Sequence, residues 1–159
     1  MCDPEFSKSY GAGKGQIVLR TLSADLDTPV SAALKILSDQ PYSFVLESVE
    51  GGATRGRYSF IGWAPDMLWR CQDGCAQCAV VKPGEPADQA VFEEEGKAAL
   101  ESLADAVEAA KLELAGLEDI PMPGLVGYLG YDMVRHVERL RDAPPKSIDM
   151  PDALLMRPT

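Results

Sequence analysis

The sequence has one histidine, His136, and no apolar run near the ~20 residues that a membrane-spanning helix needs. Its opening residues, MCDPEFSKSYGAGKGQ, lack the apolar stretch of a secretory signal. Basic residues are scarce: 15 Lys and Arg stand against 25 Asp and Glu, a formal net charge of -10. That balance repels phosphate backbones and anionic lipid, so nucleic acid and membrane are poor partners. No phosphate loop is present either. Gly124, Gly127 and Gly130 have the wrong order for a dinucleotide fingerprint and no Lys-Ser/Thr follows them. His136 has no nucleophile motif beside it, which makes it a structural or exposed side chain rather than a general base.

What is present reads as one globular domain. Apolar residues make up 46% and charged residues 25% of 159 positions. Free cysteines without a signal suit a reducing, cytoplasmic compartment. Residues 1–16 read as a flexible leader and 17–159 as the folded domain. Ile17, Val18 and Leu19 form a β-like run. Asp27 or Thr28 then caps a helix with Pro29 in its first turn, and Val30, Ala33, Leu34 and Leu37 fall on one face. Strands follow at YSFVLESVEG and GRYSFIGWAP, separated by a bend at Gly51-Gly52. A helical pattern runs from about Gln89 to Leu114, and its acidic start at Glu93, Glu94 and Glu95 suits a helix N-terminus. Leu125 to Leu129 is a strand in which Gly127 and Gly130 permit close backbone approach. Asp132 is the expected cap of a short helix with Met133, Val134 and Val137 inward. A last strand begins at DALLMRPT, so the sheet is expected to continue in a longer chain.

Cys71, Cys75 and Cys78 stand at C-x₃-C-x₂-C spacing, as cluster-binding cysteines do. The turn signal Asp73-Gly74 between them argues otherwise. A two-residue loop there pairs Gln72 with Cys75, Cys71 with Ala76, Arg70 with Gln77 and Trp69 with Cys78. Side chains alternate along a strand. Met67, Trp69, Cys71, Ala76, Cys78 and Val80 then share an apolar face. Leu68, Arg70, Gln72, Cys75, Gln77 and Ala79 share a wetter one. The thiols are divided between faces and read as packing, with no metal site expected in this chain.

Three stretches carry a resemblance. They are Phe44-Val45-Leu46-Glu47-Ser48-Val49-Glu50-Gly51-Gly52, Arg57-Tyr58-Ser59-Phe60-Ile61-Gly62, and Gly124-Leu125-Val126-Gly127-Tyr128-Leu129-Gly130-Tyr131-Asp132 with Arg135 and Glu138. In this order and spacing the sequence resembles the N-terminal domain of anthranilate synthase component I. The resemblance implies an α+β fold, with antiparallel strands packed against a few helices, as part of a larger two-domain enzyme. It implies a reaction of chorismate with ammonia or glutamine to give anthranilate and pyruvate. It also implies Mg²⁺ and the catalytic residues in a C-terminal catalytic domain outside this sequence, and a glutamine amidotransferase partner. By that resemblance Leu46, Glu47 and Ser48 line a tryptophan site for feedback inhibition. A carboxylate and hydroxyl suit an ammonium group, and Leu46 suits an indole. Arg57 is the candidate for the ligand carboxylate. Aminodeoxychorismate synthase, a stand-alone amino-acid-binding module and a metal protein remain the alternatives.

Overall fold

The computed structural model describes residues 8, 15, 17–50, 54–112, 124–142, 146 and 148–159, with the backbone alone at 48–50 and 54–57. The architecture is α+β, with antiparallel strands in two sheets and a few short helices. Helix α1 (Pro29–Ile36) starts where the sequence places it. Thr28 Oγ1 accepts from the Ser31 amide at 3.1 Å, and Ser31 Oγ accepts from the Thr28 amide at 2.9 Å. This reciprocal box satisfies two amides that a helix start leaves unpaired. The apolar face of α1 is not a core face throughout: Ala33 is buried, but Val30 and Leu34 are exposed. Ile17 to Leu19 form no strand. Val18 and Leu19 lie in solvent, and among the described residues no strand pairs with them.

Strands β1 (Phe44–Glu50) and β2 (Thr54–Gly62) form a two-stranded antiparallel ribbon. The expected bend at Gly51-Gly52 lies outside the described residues. The second sheet holds β3 (Met67–Gln72), β4 (Cys75–Val80), β5 (Glu93–Glu94), β6 (Val126–Leu129) and β7 (Ala153–Arg157), in the order β5-β4-β3-β7-β6. The β3–β4 hairpin turns at Asp73 and Gly74, whose φ values of 49° and 81° are those of a two-residue primed turn. Its register is the one derived from the sequence, from Gln72 opposite Cys75 to Met67 opposite Val80. Gly127 brings β6 against β7. A Cβ there would lie 2.0 Å from the Leu154 carbonyl oxygen, so only glycine fits.

Helix α2 (Ala99–Ala109) and a 3₁₀ turn at Tyr131–His136 cover one face of this sheet. Met67, Trp69, Cys71, Ala76 and Ala153 meet Ala99, Ala106 and Met133 there. The other face was expected to be wet, yet Leu68 and Ala79 are buried on it. Tyr42, Phe44, Ala90 and Phe92 pack over them, brought from distant parts of the chain. Leu68, fully excluded from solvent, contributes about 1.5–3 kcal/mol by burial. Val80, assigned to the core face, is exposed at the end of its strand.

Two further expectations are corrected. The helix from Gln89 to Leu114 shrinks to Ala99–Ala109, preceded by a 3₁₀ turn at Ala87–Gln89 and by β5. Glu93 and Glu94 pair with Cys78 and Gln77, and Gly96 at φ 63° then breaks any continuous helix. Edge pairing with β4 satisfies the backbone there, so the acidic run is not a helix first turn. Asp132 does not cap the turn it opens; its carboxylate pairs with Arg135 at 2.9 Å, and Val137 points outward.

Candidate functional site

The proposed amino-acid site falls on the β1–β2 ribbon. Register places Leu46 opposite Phe60 and Glu47 opposite Ser59. Neighbouring strand residues face opposite ways, so Leu46 and Glu47 lie on different sides of the ribbon. Both are exposed. The register shifts between Glu47 and Val49, where Ser48 alone on β1 faces residues 56–58 on β2, so the extra residues belong to β2. A bulge re-aims side chains and is common beside binding sites. The side chains of Ser48 and Arg57 lie outside the described residues, so their place relative to Glu47 is not given. The structure thus brings Glu47 and Ser59 together across the ribbon, and sets Leu46 on the reverse face.

A cleft of about 1200 Å³ opens elsewhere, beside the ends of β3 and β7 and the C-terminal end of α2. Neither Leu46 nor Glu47 lines it. Its charged groups include Asp66, Lys82, Lys111 and Arg157. Arg157 holds Asp66 through two bonds, Nε to Oδ1 at 2.6 Å and Nη2 to Oδ2 at 2.9 Å. Its Nη1 also donates to the Ala109 carbonyl at 3.0 Å, satisfying an acceptor at the end of α2. The pair therefore ties β3, β7 and α2 together and leaves this guanidinium engaged. No local signal could reveal a pair separated by most of the chain.

The thiols divide as the hairpin requires. Cys71 is buried, Cys78 is half-buried and Cys75 is exposed on the opposite face. Burial, and next the carboxylate of Asp152, push the Cys71 thiol up from its ordinary value. Burial and then Glu95 do the same to Cys78. A nucleophilic cysteine needs the reverse shift. His136 Nε2 lies 3.5 Å from Cys71 Sγ, which gives the histidine a structural contact at the sheet face. Trp69, whose indole is buried, donates from Nε1 to Ser102 Oγ at 2.7 Å, and Ser102 donates in turn to Glu95. Among the described residues, no buried side-chain nitrogen or oxygen lacks a partner. No helix among them is long and apolar enough to cross a membrane.

No family model matches the chain. It is 41% identical over 156 residues to anthranilate synthase component 1 of Cereibacter sphaeroides, covering 97% of this chain and 30% of that protein. It is 40% identical over 158 residues to the protein of the same name in Pseudomonas putida, covering 96% and 30%. The Mycolicibacterium smegmatis protein of that name matches at 36% over 144 residues, covering 89% and 26%. The chain spans under a third of the length of the curated relatives it matches. Similarity of this depth along almost the whole sequence makes it the homologue of one portion of a longer enzyme. Over the span that it covers, the chain is similar to the anthranilate synthase component 1 proteins.

Proposed function

We propose that this sequence supplies the regulatory and supporting portion of an anthranilate synthase component 1 in tryptophan biosynthesis. The observation that carries the reading is the 41% identity extending over 97% of the chain. The complete enzyme would convert chorismate and ammonia, drawn from glutamine by an amidotransferase subunit, to anthranilate and pyruvate. Mg²⁺ and the reacting groups belong to a separate C-terminal catalytic domain in this reading. Among the described residues no three His, Cys, Asp or Glu side chains converge to hold a metal, so no step through Mg²⁺ is assigned to them. The 159 residues alone would form no anthranilate.

Tryptophan would bind at β1 as the feedback inhibitor. Glu47 is exposed and stands opposite Ser59, free to take an ammonium group. Ser48 lies on β1 where the register shifts and would add a hydroxyl, Arg57 would hold the carboxylate, and Leu46 would meet apolar surface. Because Leu46 and Glu47 face opposite ways, the ligand contacts one directly, and the other acts through what the catalytic domain packs on it. Inhibition requires tryptophan to prefer one arrangement of the two portions. A coupling of ~1–3 kcal/mol changes substrate affinity roughly 5–150-fold.

The test is a whole-length relative whose aligned residues are exchanged for this sequence. The chimera should make anthranilate, and tryptophan should inhibit it. Glu47→Gln removes a charge-assisted bond worth about 1.5–3 kcal/mol, so the half-inhibiting tryptophan concentration should rise at least tenfold. Unchanged inhibition in that variant refutes the placement of the site. Formation of aminodeoxychorismate in place of anthranilate refutes the pathway.

A further inference from the structure

We propose that Asp73 is a site of spontaneous backbone isomerisation, in which its carboxyl closes on the Gly74 amide, and that Lys146 is the brake on that closure. The sequence holds no asparagine, and Asp73-Gly74 is its only Asp-Gly pair, so the chemistry has one favoured place to occur. Glycine matters because it puts no side chain beside the attacking nitrogen. A Cβ at Gly74 would meet nothing within 4 Å, so the approach is open. The Asp73 side chain is 70% exposed, which admits the water that the reaction needs. Both residues sit at the tip of the β3–β4 hairpin with positive φ, 49° and 81°. The ladder ends at the pair Gln72 and Cys75, so the Gly74 amide lies outside it.

The Gly74 nitrogen forms a bond to Asp73 Cγ, the bond from Cγ to its hydroxyl breaks, and the amide proton leaves with that hydroxyl as water. A second water opens the cyclic imide. Opening at Cγ restores aspartate. Opening at the α-carbonyl routes the chain through the side chain as isoaspartate. One water leaves and one returns, and no electrons are exchanged. Only the neutral carboxyl carries a good leaving group, so whatever keeps Asp73 ionised slows the closure. Lys146 does this, with Nζ 2.8 Å from Asp73 Oδ1. Its hydrogen bond, and then its charge, hold the Asp73 carboxyl below the ordinary value. The same Nζ lies 3.2 Å from Asp152 Oδ1, and the Asp152 amide donates to the Cys71 carbonyl at 2.7 Å. The brake thus links the hairpin tip to the start of β7. Isoaspartate adds a methylene to the backbone of a two-residue loop, and the lengthened loop no longer matches the turn that sets the register.

The experiment incubates the folded 159-residue chain at neutral pH and follows isoaspartate at position 73 by peptide mass spectrometry, with a free peptide of residues 68–79 alongside. Isoaspartate should accumulate in the parent chain more slowly than in the peptide. Because the neutral fraction of a carboxyl changes about tenfold for each unit of pKa, Lys146→Met should speed accumulation at least about threefold. Lys146 is exposed, so this variant keeps the fold. Asp73→Asn also keeps the turn, since Asn-Gly is strongly favoured there. It needs no neutral acid for closure, so it should convert faster than the parent and release ammonia. Equal rates in the parent and in Lys146→Met overturn the proposal. So does a folded Asp73→Asn chain that releases no ammonia from this position, because the turn would then forbid ring closure. A rise confined to a Lys146→Met chain that has lost its native tryptophan fluorescence overturns it as well.

Discussion

Replacing Ser102 by alanine removes one oxygen atom from a fully buried position. That oxygen accepts from Trp69 Nε1 at 2.7 Å and donates to Glu95. Without it the indole N–H is buried and unpaired, at a cost of about 1–3 kcal/mol. The lost bond to Glu95 adds less than about 1 kcal/mol, because that carboxylate is exposed and water replaces the serine. The total is about 1–4 kcal/mol. For a chain of this size each kcal/mol moves the melting temperature by about 2–4 °C, so a fall of about 2–16 °C is expected. Urea unfolding followed by tryptophan fluorescence measures the same loss directly. The control is a double-mutant cycle. In a Trp69→Phe background the donor is gone, and Ser102→Ala should cost at least about 1 kcal/mol less. A Ser102→Ala protein within about 0.5 kcal/mol of the parent, or an equal cost in both backgrounds, refutes the reasoning.

Gly127→Ala should destabilise by about 3 kcal/mol in the same assay, since its Cβ would overlap the Leu154 carbonyl across a strand pair. Of the three described thiols, Cys75 should react first with an aromatic disulfide reagent; Cys71 should wait for the sheet to open, and equal rates would contradict the hairpin register. The bond from Lys35, then that from Ser31, hold the Asp27 carboxyl below its usual value. A depressed carboxyl stabilises the fold above the ordinary aspartate value and loses that contribution as pH falls through the lower, folded one. Melting temperatures measured below about pH 4 should therefore depend less on pH in a Lys35→Met variant, and an unaltered acid limb would argue against the pair.

The turn and register of the hairpin were legible because their information is local. Asp73-Gly74 sets the turn, the turn sets the register, and alternation then sorts Cys71 from Cys75. The start of α1 was legible for the same reason, through Thr28 and Pro29. Contacts made at long range were not. Nothing beside Glu93 announces that it will pair with Cys78 instead of opening a helix, and nothing beside Leu68 announces the rings of Phe44 and Phe92. The candidate site was legible as a strand bearing polar residues. Its facing was not, because a bulge between Glu47 and Val49 is a property of two strands together.

The final strand in sequence, β7, lies between β3 and β6, with Met67 opposite Arg157 and Val126 opposite Met156. A growing polypeptide therefore completes the β3–β4 hairpin at Val80, roughly seventy-five residues before the neighbour that fills its open side has been synthesised. Until then β3 offers an unpaired edge that foreign strands can join. Biogenesis of this protein should accordingly be most vulnerable on the ribosome, where a trigger-type chaperone shielding residues 67–72 would raise yield, and slower translation of the stretch before residue 153 would lower it.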